Sequence, residues 1–199
     1  NQHVLITAGP TREPLDPARY LSNRSSGKMG YALARTARRR GAEVTLVSGP
    51  VALDSPPGIE VIRVNTAREM YNEVMRFRNQ VSIIVKAAAV ADFRPAHYET
   101  RKIKKANARS CIGLMTNVDI LMELGRNRRK GQLLFGFAAE SGDHENEGRR
   151  KLKEKNLDLI IVNDICGIES GFDVDTNQVT LIDKSGSVSL PLLSKEKTA

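Results

Sequence analysis

The sequence predicts an α/β protein: a doubly wound, mainly parallel, Rossmann-like sheet carrying a C-terminal antiparallel hairpin. Three observations lead there. The all-apolar Val4-Leu-Ile6 and the longer apolar run Val81 to Val90 suit strands covered on both faces. Segments of helical periodicity fall between such runs, and alternating strands and helices build a parallel sheet. Val179 to Asp183 and Ser187 to Leu190 flank Lys184-Ser-Gly186, a turn that folds the last two strands onto each other.

Taken in order, the chain opens with a strand at His3 to Gly9, and Pro10, Pro14 and Pro17 then impose a fixed, non-helical excursion over Thr11 to Pro17. An Ala-rich helix is expected over Met29 to Arg40, stopped by Gly41. Glu43 to Ser48 is the next strand, closed by Gly49-Pro50, and Ile59 to Val64 is the third. Thr66 caps a helix to about Arg78, with Met70, Val74 and Phe77 on one face. Val81 to Val90 is the fourth strand and exits at Asp92. His97 to Arg109, basic and poor in large apolar residues, reads as a surface loop. Asn117 or Asp119 caps a helix to Arg126, and Leu133 to Ala139 is the fifth strand. A charged helix over Asp143 to Lys155 leads to the sixth strand, Leu157 to Val162. Gly167 to Asn177 is a loop, the hairpin spans about 178–193, and Ser194 to Ala199 is a frayed tail.

A length of 199 residues suits one core, so 1–199 reads as a single domain. Beginning almost directly in a strand is consistent with a domain taken from a longer chain. No apolar run approaches the ~20 residues of a membrane helix, and the N-terminus lacks a signal-peptide layout. Cys111 and Cys166 lie in no metal or redox pattern, which points to a reducing cytoplasm, with Cys166 as core packing. The net charge of +8 calls for an anionic partner. With no Trp, four Tyr and five Phe, a base-stacking platform for nucleic acid is hard to build. Basic clusters at 101–105, 126–130 and 149–155 fit a polyphosphate small molecule at least as well.

The stretch Arg19 to Gly30, between first strand and first helix, is the leading candidate site. Ser25, Ser26 and Gly27 stand where unpaired N–H groups and the helix dipole attract an anion, and Lys28 adds a mobile charge. The plain alternative is a polar loop capping its helix. A Walker A loop is excluded because Met29 follows Lys28, and the G-x-G-x-x-G fingerprint of a nicotinamide-dependent reductase does not follow the strand. Asp92, beyond a strand end, stands where α/β sheets place ligands, or else caps a turn. Lys102, Lys104 and Lys105 are a phosphate-binding group or a solvated face.

Seven motifs together carry a resemblance over nearly the whole chain. They are Ile6-Thr-Ala-Gly-Pro-Thr-Arg-Glu-Pro-Leu-Asp-Pro17, Ser22-Asn-Arg-Ser-Ser-Gly-Lys-Met-Gly30, Ala87-Ala-Ala-Val-Ala-Asp92 and Lys102-Ile-Lys-Lys105. Gly136-Phe-Ala-Ala-Glu140, Leu157-Asp-Leu-Ile-Ile-Val-Asn-Asp164 and Thr176-Asn-Gln-Val-Thr-Leu-Ile182 follow in order. The chain resembles the phosphopantothenoylcysteine synthetases, the second half of bifunctional bacterial coenzyme A biosynthesis proteins. The resemblance implies CTP-dependent joining of phosphopantothenate to cysteine with Mg²⁺, through an acyl-cytidylate, releasing pyrophosphate and CMP. It implies that Ala87, Ala88 and Asp92 face the cytidine and that Lys102, on a lysine flap of about 97–116, approaches the triphosphate. Asn117, Val118, Asp119, Ile120, Phe137, Lys151 and Lys155 match further nucleotide contacts; Val118 stands where the family usually has Pro. Asn23 matches the residue that handles the acyl-cytidylate, with Arg19 as its partner, and Ser25 to Lys28 lie toward the phosphopantothenate. It implies a homodimer in the cytoplasm and a native fusion to a flavin-dependent decarboxylase. No flavin in this domain, no nucleic acid and no membrane are expected, and the metal ligands stay unassigned.

Overall fold

Alternate residues of the first strand enter different cores, as a strand covered on both faces requires. Leu5 packs with Met70, Val74, Ile84 and Leu134, whereas Val4 and Ile6 pack with Tyr31, Ala34 and Leu46. The computed structural model describes residues 2–105, 111–140, 142–164 and 174–199. The centre of the lysine segment, Cys166 and most of the loop expected at Gly167 to Asn177 lie outside the described residues.

The chain runs β1 (His3–Ala8), β2 (Arg12–Asp16), β3 (Arg19–Ser22), α1 (Lys28–Arg39), β4 (Glu43–Ser48), β5 (Glu60–Arg63), α2 (Ala67–Phe77) and β6 (Ile83–Lys86). It continues with β7 (Phe93–Pro95), β8 (Leu114–Thr116), α3 (Ile120–Arg126), β9 (Leu133–Glu140), α4 (His144–Glu154) and β10 (Leu159–Asp164). Last come β11 (Thr176–Asn177), β12 (Val179–Asp183), β13 (Ser187–Ser189), β14 (Leu193–Ser194) and α5 (Lys195–Thr198). Among the described residues, eight strands form one sheet in the order β13-β12-β10-β9-β6-β1-β4-β5. Every neighbouring pair from β10 to β5 is parallel, and β12 and β13 are antiparallel, as the sequence predicts. From β1 the chain moves outward to β4 and β5, then returns through α2 to β6 on the other side of β1. The strand order therefore reverses between β1 and β6, the kind of point at which α/β sheets open a ligand crevice.

Local chemistry explains the elements around that crevice. Gly30 lets α1 lie against β1, because a Cβ there would come within 2.5 Å of the Ala8 Cβ. Helix α2 starts where expected: Thr66 Oγ1 accepts from the Glu69 N–H at 3.2 Å, and buried Glu13 accepts from the Ala67 N–H at 2.8 Å.

Four expectations change. The proline-rich excursion is strand β2 paired with β3, its register shifting between Pro14 and Asp16; a two-stranded edge tolerates proline at such an irregularity. The fourth strand ends at Lys86 rather than Val90. Beyond it the backbone leaves the ladder, and Ala88 N–H donates to Thr7 Oγ1 at 3.1 Å, Ala89 N–H to the Gly9 carbonyl at 2.9 Å and Ala91 N–H to Thr11 Oγ1 at 3.0 Å. The lysine segment is anchored at both ends by an antiparallel pair, β7 with β8, which its composition hid. The tail is not frayed. Lys195 is 6% exposed, and Glu196 accepts from Arg35 Nε at 2.9 Å and Arg39 Nη2 at 3.0 Å, docking α5 on α1.

Candidate functional site

The turn after β6 and the N-terminus of α1 border a cavity of about 300 Å³ at the point where strand order reverses. Asn23 joins its two sides, donating from Nδ2 to the Val90 carbonyl at 3.1 Å and the Ala89 carbonyl at 3.4 Å. Gly27 caps α1 in the left-handed region, at φ +77°, a conformation that suits glycine. No side chain caps that helix; the Ser25 hydroxyl accepts from the Gly27 N–H at 3.4 Å instead. Lys28 pairs with Asp175 at 2.6 Å.

The opposite wall comes from α3 and α4. Asp119 caps α3 by accepting from the Met122 N–H at 3.0 Å, and its other oxygen takes Lys155 Nζ at 2.7 Å. Burial raises its carboxyl affinity for protons, but Lys155, the Met122 N–H and Lys86 prevail, so it titrates below the ordinary carboxylate value. Lys151 lies one turn before Lys155 and lines the same cavity with Phe137 and Asp92. Asn117 braces the Asp92 segment: its N–H donates to the Asp92 carbonyl at 2.8 Å and its Nδ2 to the Ala91 carbonyl at 2.8 Å. Lys86 stands at the floor. Burial pushes its ammonium down to about 8; Asp119 and Asp92 oppose the shift, and Lys155 and Lys151 add to it.

A second cavity, of about 530 Å³, lies beside the β2–β3 pair and contains Arg19, His97, Lys102 and Lys104. Its organiser is Asp16, 2% exposed. That carboxylate accepts from Arg19 Nε at 3.0 Å, Ala18 N–H at 2.8 Å, Arg19 N–H at 2.9 Å and Ile103 N–H at 3.1 Å. Arg19 in turn donates to the Ile103 carbonyl at 2.8 Å. The guanidinium, helped by the backbone N–H groups, holds Asp16 well below the usual carboxylate range against the opposing effect of burial.

Of the residues singled out from sequence, Asn23, Ser25, Ser26, Gly27, Lys28, Ala87, Ala88 and Asp92 line the first cavity, together with Phe137, Lys151 and Lys155. Asn117 and Asp119 act one layer out, through Asp92 and Lys155. Val118 is half-buried in the link to α3, and Ile120 is core, 1% exposed. Arg19 and Lys102 are placed in the second cavity, so Arg19 is not beside Asn23 within this chain; Asp16 and Ile103 hold it instead. Sequence reasoning missed Lys86, Asn163, Asn177 and Lys195, which also line the first cavity. Lys86 carried a legible signal, a charge at the end of the most apolar strand. Asn177 and Lys195 carried none, since folding alone brings the C-terminal strands to α1.

The chain spans about half the length of the curated relatives it matches. It is 49% identical over 196 residues to the coenzyme A biosynthesis bifunctional protein CoaBC of Bacillus subtilis (strain 168), covering 98% of this chain and 48% of that protein. With the protein of the same name from Escherichia coli (strain K12) it shares 46% identity over 197 residues, again 98% and 48% of the two chains. A crystal structure of the C-terminal domain of a CoaBC protein matches with a TM-score of 0.85 at 42% identity, covering 100% of this chain and 90% of that one. A Cab2 mutant in complex with phosphopantothenate-cysteine shares the fold, with a TM-score of 0.79 at 17% identity over 99% of this chain and 83% of that one. Residues 1–199 match the model of the DNA/pantothenate metabolism flavoprotein C-terminal domain, and the chain belongs to that family.

Proposed function

We propose that this chain is a phosphopantothenate–cysteine ligase, using CTP and Mg²⁺ to join phosphopantothenate to cysteine in coenzyme A biosynthesis. The observation that carries the reading is one cavity, at the sheet's reversal point, that unites Asn23 and the α1 N-terminus with Asp92, Phe137, Lys151 and Lys155 in a chain 49% identical to a coenzyme A biosynthesis protein. The nucleoside sits against Ala87, Ala88, Asp92 and Phe137, with its phosphates toward Lys102. The substrate carboxylate attacks the α-phosphorus, breaking its bond to the pyrophosphate oxygen and forming a mixed anhydride. The amine of cysteine then attacks the acyl carbon, and CMP leaves.

Such chemistry depends on positioning and charge neutralisation. Lys102, on a lysine flap of about 97–116, neutralises the triphosphate, and Asn23 donates to the acyl oxygen as charge develops there. Mg²⁺, when bound, would neutralise charge on the phosphates; its protein ligands stay unassigned. We assign 1–199 as one synthetase unit, cytoplasmic and homodimeric, natively fused to a flavin-dependent decarboxylase. A reductase is disfavoured: Tyr98 and Lys102 have the Tyr-x-x-x-Lys spacing, but Tyr98 is 52% exposed and no G-x-G-x-x-G fingerprint follows β1.

The test is pyrophosphate release with phosphopantothenate, Mg²⁺ and each nucleoside triphosphate, with and without cysteine. Turnover is expected with CTP and cysteine, falling to about one equivalent or less without cysteine, as a two-step path requires. Asn23→Asp retains CTP binding and loses product. Absence of release with every nucleotide refutes the reading.

A further inference from the structure

Strand β6 ends in a lysine where its neighbours in sequence are apolar. Lys86 shares a face of the strand with Ile84, whose side chain belongs to the core beneath α2, α3 and α4. That places it on the wall carrying Asp119 and Lys155, across the sheet from α1. Of the two carboxylates near it, Asp92 and Asp119, the second is already engaged, holding Lys155 at 2.7 Å and capping α3. Among the described residues, the Lys86 ammonium makes no hydrogen bond and no ion pair, although the residue lines the cavity. An ammonium withdrawn from bulk water with its donors unmet destabilises the fold. Packing gives no reason for it, since methionine would fill the same volume without that cost.

Resting on the ligase reading above, we propose that Lys86 is a specificity-determining contact, its ammonium donating to the carbonyl oxygen of the pyrimidine base. The wall decides which half of the nucleotide it meets. Ala87, next in the chain, and Asp92, both set against the nucleoside in the reading above, line the cavity beside it, while Lys102, expected at the triphosphate, stands in the second cavity. Adenine has no exocyclic oxygen and leaves the ammonium unmet, so the contact favours CTP over ATP. Leaving a buried polar group unpaired is the strongest way a site rejects the wrong ligand.

Calorimetric binding of CTP, CMP and ATP, each with Mg²⁺, to the unaltered chain, Lys86→Met and Lys86→Gln tests this. The expected result is about a 10-fold loss for both CTP and CMP in each variant, with ATP unchanged, as loss of one charge-assisted hydrogen bond predicts. Thermal melting of both variants checks that they fold. Equal CTP and CMP affinity in the variants and the unaltered chain overturns the assignment while leaving the ligase reading intact. A loss for CTP much larger than for CMP overturns it too, by moving Lys86 to the phosphates. Absence of CTP binding by the unaltered chain overturns the ligase reading and the assignment together.

Discussion

The crevice at the end of β6 and the lysine segment beside β2 both set lysines against aspartates, and they use the aspartates differently. In the crevice, Asp119 pairs with one lysine, Lys155, while Lys86 and Lys151 stand close enough to perturb the same local field. Cations outnumber carboxylates on a wall built from strand and helix ends, so the charge is held in place and aimed at a ligand. At the lysine segment, Asp16 pairs with an arginine and with backbone N–H groups, and Lys102, Lys104 and Lys105 stay exposed. There the carboxylate positions backbone and neutralises none of the lysines. A preorganised site and a positioned but exposed one are thus built from the same residue types, and burial makes the difference.

The largest expected effect tests the exposed region. Lys102→Gln lowers CTP-dependent pyrophosphate release by about 1000-fold, the scale of removing a transition-state charge partner, and leaves melting behaviour unchanged. If turnover survives intact, the lysine segment is a solvated face and the comparison collapses to a single site. Next, Asp16→Asn weakens the hold on Arg19 and Ile103 and displaces Lys102, for a loss of about 10- to 100-fold in kcat with CTP affinity retained. Because the folded-state pKa of Asp16 lies below 3.8, its contribution to stability is present above that pH and is lost as pH falls through the lower, folded-state value. An equal loss of CTP affinity in Asp16→Asn would place the clip in binding and not in positioning.

The smallest effect has the opposite sign. Lys86 titrates at about 8 in the folded chain against 10.5 when unperturbed, so between those values the unfolded chain binds more protons and stability rises with pH. Below pH 8 the fold carries a charged, desolvated ammonium. Lys86→Met therefore stabilises the protein by about 1–3 kcal/mol at pH 7, and chemical denaturation shows the gain shrinking toward pH 10. A variant that is less stable at pH 7 would make Lys86 a structural cation.

The parts of the fold written in local patterns were legible. Apolar runs, the Thr66 cap and the Lys184-Ser-Gly186 turn act over a few residues, and the strands and helices they predict are those observed, to within their ends. The end of β6 was misplaced because the alanines after Lys86 are equally apolar in or out of a sheet; hydrogen bonds to Thr7, Gly9 and Thr11 draw them away. The α5 helix was missed because four residues have no helical preference that outlasts fraying, and Arg35 and Arg39 supply what propensity does not.

By itself, then, the sequence determined the α/β class, the mainly parallel sheet and the two candidate stretches, Asn23 to Lys28 and Ala87 to Asp92; that they meet in the crevice is tertiary. Tertiary structure alone decided that Arg19 belongs with Asp16 and Ile103 and not with Asn23. It also decided that Lys86 shares a wall with Asp119 and Lys155, and that Asn177 and Lys195 reach α1. The physical reason is range. Propensity and periodicity act between neighbours in the chain, whereas a carboxylate's choice among cations depends on which of them folding brings within hydrogen-bond distance and out of water.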